Sequence, residues 1–265
     1  MGSATPSKPI KRLRVFAGPN GAGKSSMCRA VKNMGVHLGK WVNADDVLLA
    51  FRKNVGSFTL GECLEGFDED AIRAFYCGHP LASSEKLPWC FSYSKVSGRL
   101  DIDPDVCANE SVAPYVMSIL VDYIRTQLLD SGQSFSFETV FSHQSKLDFI
   151  MKAKQCGYRV YLYFVCLEPP DLCLSRVAIR VAQHGHDVPS DKVLERYRRC
   201  LDLLPNAIKI ADRSYLFDNS ETASGEKIES SLVIEVERAD DTFSIVTHRS
   251  ELPAWISNHI PFKFP

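Results

Sequence analysis

A three-layer α/β fold, with a mainly parallel sheet flanked by helices, is what this sequence predicts, and three observations carry it. Four runs, at Val15–Ala17, Ser134–Val140, Tyr158–Leu167 and Tyr215–Ser220, read as strands, and Tyr158–Leu167 is β-branched and aromatic without clean alternation. Strands covered on both faces read this way. Segments of helical period separate them, the pattern of βαβ units. The first run breaks into a glycine-rich turn, and open sheets of this kind bind ligands at the carboxyl ends of their strands.

The 265 residues are 45% hydrophobic and 24% charged, enough to bury a sizeable core. A formal charge of −1 gives no global attraction for nucleic acid or an anionic membrane. No apolar run reaches the ~18 residues of a membrane helix, and the start lacks the apolar core of a signal peptide. A cytoplasmic location with no membrane partner is therefore expected. Nine cysteines without a C-x-x-C pair argue against a disulfide framework.

Residues 1–11 form a polar, proline-containing lead-in, expected to be flexible, and 12–265 are expected to form one domain. Gly18, Pro19, Asn20, Gly21, Ala22, Gly23, Lys24 and Ser25 fill G-x-x-x-x-G-K-[ST], the P-loop or Walker A pattern. Glycines let backbone N–H groups turn inward around a phosphate chain. The helix expected over Ser26–Met34 would aim its positive end at the same phosphates. Nucleotide binding is thus assigned to Gly18, Asn20, Gly21, Ala22, Gly23, Lys24, Ser25 and Ser26. Lys24 would reach the β- and γ-phosphates of ATP, and the Ser25 hydroxyl would hold Mg²⁺.

Lys40–Val47 brings Asn43, Asp45 and Asp46 to the end of a second strand. One of these acids is a candidate catalytic base, or the group is a helix N-cap, a place Asn and Asp favour equally. Across 53–111 periodicity fades, with glycines and prolines interrupting any long element. This insertion is read as a lid or a substrate-shaping region, with one helix at Leu64–Tyr76 and a short strand around Trp89, Phe91 and Tyr93. Its Cys63, Cys77, His79, Cys90 and Cys107 match no zinc-ligand spacing.

Val116, Leu120, Tyr123, Ile124 and Leu128 share one helical face within Ala113–Leu129. The Ser134–Val140 strand ends in Glu138 and Thr139, an acid that either faces water or answers the P-loop lysine and Mg²⁺. Ser142–Cys156 is a helix stopped by Gly157. Pro169–Ala182 is a helix carrying Arg176 and Arg180 at i and i+4, hence on one face. Such a pair either clamps the negative charge of a phosphoryl group in transfer or forms a solvated basic face. Gln183–Pro189 is a polar loop holding His184 and His186, and another helix begins at Ser190. Tyr215–Ser220 reads as the last parallel strand, ending in a polar turn where a base or ribose could sit. Leu232–Glu237 and Thr242–Thr247 form a C-terminal hairpin.

The motifs GPNGAGKSS, VNADD, FETVFS, GYRVYLYFVCLEPP, SRVAIRVAQHGHDVP, RY and DNS follow one another in this order. Together they resemble the zeta-toxin family of P-loop kinases, from about residue 12 to 220 apart from the insertion. The resemblance implies a three-layer P-loop kinase fold with ATP and Mg²⁺ as cofactors. It further implies transfer of the γ-phosphate to a hydroxyl of a small metabolite, most readily a UDP-amino sugar such as UDP-N-acetylglucosamine. Nucleosides, NAD, a polynucleotide end and an ATPase without an acceptor remain open. Carried over by position, Lys24, Asp45, Arg176 and Arg180 are catalytic, with Asp45 the general base. Asp46, Glu138, Thr139 and His186 would meet substrate, and Ser25 would meet the metal. A small antitoxin occluding the ATP site is the implied partner.

Overall fold

The computed structural model describes residues 10–54, 56–59, 68–183, 187–220, 231–239 and 242–260. It is a mixed α/β structure whose mainly parallel seven-stranded sheet is flanked by helices, as the apolar runs predict. The chain divides into two compact units, one of residues 1–39 and 138–265, the other of residues 40–137.

The first unit is built on β1 (Arg12–Ala17), β7 (Arg159–Cys166) and β8 (Arg213–Asp218), all parallel. Leu13 to Ala17 of β1 and Leu162 to Cys166 of β7 are buried on both faces, which is why the β7 run shows no clean alternation, whereas β8 alternates buried with half-buried residues. The hairpin of β9 (Ser231–Ala239) and β10 (Thr242–Thr247) adds two antiparallel strands beside β8. Helix α1 (Lys24–Asn33) follows β1 directly, two residues earlier than the expected Ser26. Helix α7 (Gln144–Gln155) precedes β7, and α8 (Asp171–Ala182) and α9 (Ser190–Ile210) lie between β7 and β8. The short α10 (Ala254–Ser257) buries Trp255 and Ile256.

In the second unit β2 (Lys40–Val42) pairs in parallel with β6 (Phe135–Thr139), whose last two residues fall in the first unit. Strand β2 ends directly before Asn43, so Asp45 and Asp46 follow its carboxyl end as expected. Asn43 accepts the Asp45 N–H and caps helix α2 (Ala44–Lys53). The cap, Asp45 and Asp46 in the first turn, and Arg52 and Lys53 in the last all suit the helix dipole. Strands β3 (Ser57–Thr59), β4 (Phe91–Ser94) and β5 (Arg99–Ile102) make a separate antiparallel sheet. The expected helix Leu64–Tyr76 is met by α3 (Glu69–Gly78), capped by Asp68; Leu64 itself and Cys63 lie outside the described residues. Two short helices, α4 (Pro80–Ser84) and α5 (Pro104–Ala108), complete the surround of α6 (Ala113–Asp130). Helix α6 buries Val116, Met117, Ile119, Leu120, Ile124 and Leu128 and packs on α2, α3, α4 and α5. It is the core of this unit.

Candidate active site

The loop between β1 and α1 folds as a cradle, and its glycines are steric necessities. Gly18 has φ +144°, and a Cβ there would lie 2.0 Å from the Val165 carbonyl oxygen on β7. Gly23 caps α1 with φ +97°, and its Cβ would meet the Asn219 Nδ2 at 2.5 Å. Backbone conformations of this kind cost an L side chain dearly. Helix α1 therefore starts with its free N–H groups at the loop, where an anion is favoured.

Lys24 is 8% exposed and its ammonium donates to the Pro19 carbonyl at 2.9 Å, across the loop. A buried ammonium needs such an acceptor. The exposed Ser25 hydroxyl donates to Glu138 Oε2 at 2.9 Å. The acid at the end of β6 thus meets the P-loop serine and not bulk water alone. Ser26 is exposed, its hydroxyl accepting from Arg29 at 3.2 Å. Thr139 accepts the Phe141 N–H at 3.2 Å and shapes the turn after β6, where the buried Phe141 sits at φ +60°. Asn20 is buried, and its Oδ1 has no hydrogen-bond partner among the described residues.

Helix α8 lies against this loop: a Cβ on Gly21 would come within 2.7 Å of the Cys173 carbonyl oxygen. Burial pushes the Cys173 thiol up to about 11, with the nearby Lys24 and Arg176 pulling it back. It is an inert, protonated side chain at neutral pH. Arg176 donates from one guanidinium nitrogen to the Asn219 carbonyl at 2.8 Å, while its other terminal nitrogen is buried without a hydrogen-bond partner among the described residues. Burial lowers its pKa. Arg180 is half-buried one turn further along α8. His186 and His184 lie outside the described residues.

In the second unit, Asp45 and Asp46 are both exposed in the first turn of α2. Trp41 donates its indole N–H to Asp46 Oδ2 at 2.8 Å. No side-chain partner of Asp45 is found among the described residues. The two acids, equivalent in sequence, differ in structure: one is anchored and the other is available. No group of three or more metal-ligating His, Cys, Asp or Glu side chains occurs among the described residues. Among the described residues no helix is long and apolar enough to cross a membrane.

The turn after β8 holds what sequence reasoning missed. Asp218 and Asn219 are 4% and 2% exposed. Asp218 accepts the Trp255 indole N–H at 3.0 Å and the Ser220 hydroxyl at 2.6 Å. Asn219 Nδ2 donates to the Ala22 carbonyl at 2.8 Å, and Ser220 accepts the Glu168 N–H at 2.8 Å. The triplet ties β8 to the P-loop, to the start of α8 and to α10. The one signal available in the sequence was a polar D-N-S closing an apolar strand.

Glycine cradle, buried lysine and Ser25–Glu138 pair together make this a P-loop protein, its loop at the carboxyl end of β1 inside the α/β sheet. Residues 103–223 match the model of the Zeta toxin family, the family that the ordered motifs resemble. No curated protein matches the chain. Among solved structures, a chain of the AvrRxo1-ORF1:-ORF2 complex with ATP is similar at 19% identity and TM-score 0.49, over 86% of this chain and 59% of that one. A chain of the PezAT toxin–antitoxin system of Streptococcus pneumoniae is similar at 14% identity and TM-score 0.44, over 83% and 76%. The chain thus spans less than two thirds of the AvrRxo1 relative.

Proposed function

We propose that this chain is an ATP-dependent kinase of the zeta-toxin kind, transferring the γ-phosphate to a hydroxyl of a small metabolite. The observation that carries the reading is the P-loop itself, with Lys24 buried at its mouth and Ser25 joined to Glu138 at 2.9 Å. The family match over residues 103–223 supports it. A UDP-amino sugar such as UDP-N-acetylglucosamine is the acceptor the resemblance puts first. The resemblance also implies a small antitoxin as partner and a cytoplasmic setting.

In this reading Lys24 leaves the Pro19 carbonyl for the β- and γ-phosphates, exchanging a neutral acceptor for an anionic one. The loop's N–H groups and the amino end of α1 hold the triphosphate in line for transfer. Asp45, unanchored, accepts the acceptor's hydroxyl proton, while Asp46 stays with Trp41. Arg176 and Arg180 spread donors over the charge that develops on the transferred group, the dominant contribution in phosphoryl transfer.

Magnesium fits the residues present. Ser25 Oγ and Glu138 Oε2 offer two hard oxygen donors at one point, and Mg²⁺ is commonly held by one or two such groups together with substrate phosphates. When bound it neutralises charge on the phosphate oxygens. Glu138 and Ser25 orient one another whether or not it is there.

The test is incubation of the purified protein with γ-labelled ATP, Mg²⁺ and a panel of UDP-amino sugars, nucleosides, NAD and oligonucleotides, beside Lys24→Ala. Label on one acceptor, absent with the variant, is the expected result. Free phosphate alone, unaffected by every acceptor, contradicts it and favours an ATPase.

A further inference from the structure

We propose that Asn219 is a positioning residue that fixes the P-loop and Arg176 to one another as a single phosphate-binding unit. The inference rests on the phosphoryl-transfer reading above and adds a residue to it. Asn219 is 2% exposed, and three of its four polar groups are bonded in three directions, its Oδ1 having no hydrogen-bond partner among the described residues. Nδ2 donates to the Ala22 carbonyl, inside the loop, at 2.8 Å. Its backbone carbonyl accepts Arg176 at 2.8 Å. Its backbone N–H donates to the Cys166 carbonyl at 2.8 Å, anchoring the turn to the end of β7. One residue thus joins the loop, the arginine and the central sheet.

The contact with the loop is steric as well as polar. The space that a Cβ at position 23 would need is filled by Asn219 Nδ2, 2.5 Å away. The last glycine of the P-loop is small partly because this amide stands there. Bonding Ala22 at its carbonyl, the side chain constrains how the Ala22–Gly23 peptide is turned, and with it the N–H that begins α1. Arg176 keeps a buried terminal nitrogen without a hydrogen-bond partner among the described residues. Held by the Asn219 carbonyl at one nitrogen, the guanidinium presents the other toward an anion. Misplacement of a clamp by about 1 Å can cost on the order of a hundredfold in rate, so rigidity here is worth a buried amide.

The experiment is ATP binding in the presence of Mg²⁺, by calorimetry, together with kcat and KM for ATP. The proteins are wild type, Asn219→Ala, Asn219→Asp, Arg176→Ala and the double variant Asn219→Ala/Arg176→Ala. Asn219→Asp keeps the size and removes the donor, so it serves where the alanine variant fails to fold, with thermal unfolding as the check. Both substitutions are expected to weaken ATP binding on the order of tenfold, the worth of one buried hydrogen bond. Arg176→Ala is expected to cost much less in kcat/KM once Asn219 is already alanine. A folded Asn219→Asp that binds ATP as wild type does overturns the proposal. So do two single losses in kcat/KM that multiply fully in the double variant. Wild-type protein that binds no ATP is a different failure, that of the kinase reading itself.

Discussion

Two neighbouring aspartates show how a structure separates chemistry from architecture at the level of one residue. Asp46 is held by the Trp41 indole at 2.8 Å, so its carboxylate has a structural duty. Asp45 contributes its N–H to the Asn43 cap and keeps its side chain exposed. General-base catalysis commonly contributes 10²–10⁴-fold in rate. Asp45→Asn is therefore expected to lower kcat by about a hundredfold or more, with ATP affinity nearly unchanged. Asp46→Asn is expected to change kcat only a few-fold, since an amide can still accept the indole proton. Steady-state kinetics on the two variants decide between them, and the reverse order contradicts the assignment. The sequence made the cap and the base equally good readings of this cluster. Asn43 turns out to be the cap, and the base is proposed on the residue left over.

Among the elements, the long helix α6 was legible in full, from the spacing of Val116, Leu120, Tyr123, Ile124 and Leu128. Its internal charge was not. Arg125 is 4% exposed on α6, paired with Asp122 one turn earlier and stacked 4.5 Å over the Phe137 ring. Burial pulls its guanidinium down to about 9. His79, at the start of α4, reaches the same Asp122 at 3.5 Å and accepts the Leu81 N–H at 3.2 Å. His79 is thus engaged with Asp122 and the α4 cap. Asp122→Ala leaves a buried cation without its acid, a change that typically costs about 3–5 kcal/mol. Urea unfolding of the variant is expected to show a loss of that order. A loss below about 1 kcal/mol, the range of an exposed pair, contradicts it. The element boundaries missed in 44–102 lie where short helices and strands meet through the Phe51–Phe91, Tyr76–Trp89 and Tyr76–Phe91 contacts, which join separate segments. Such contacts leave no local period to read.

Across the whole molecule, legibility follows the range of the interactions. The α/β class, the strands β1, β6, β7 and β8, and the C-terminal hairpin follow from patterns a few residues long. So does the P-loop, because its glycines, lysine and serine are consecutive. The Ser25–Glu138 bond spans 113 positions and the Asn219–Ala22 bond 197. No spacing rule reaches that far, although the motifs at both ends were visible. The polar turn that closes β8 also bonds the P-loop through Asn219, a contact no local pattern could show.

The central claim is that Lys24 and its loop move a phosphoryl group from ATP to a hydroxyl. Phosphorus NMR of the purified protein with ATP, Mg²⁺ and the acceptor tests it most directly. A new phosphomonoester signal is expected to grow in step with ADP, with no such growth for Lys24→Ala. ADP accompanied only by inorganic phosphate, or a phosphomonoester that persists with Lys24→Ala, would contradict it.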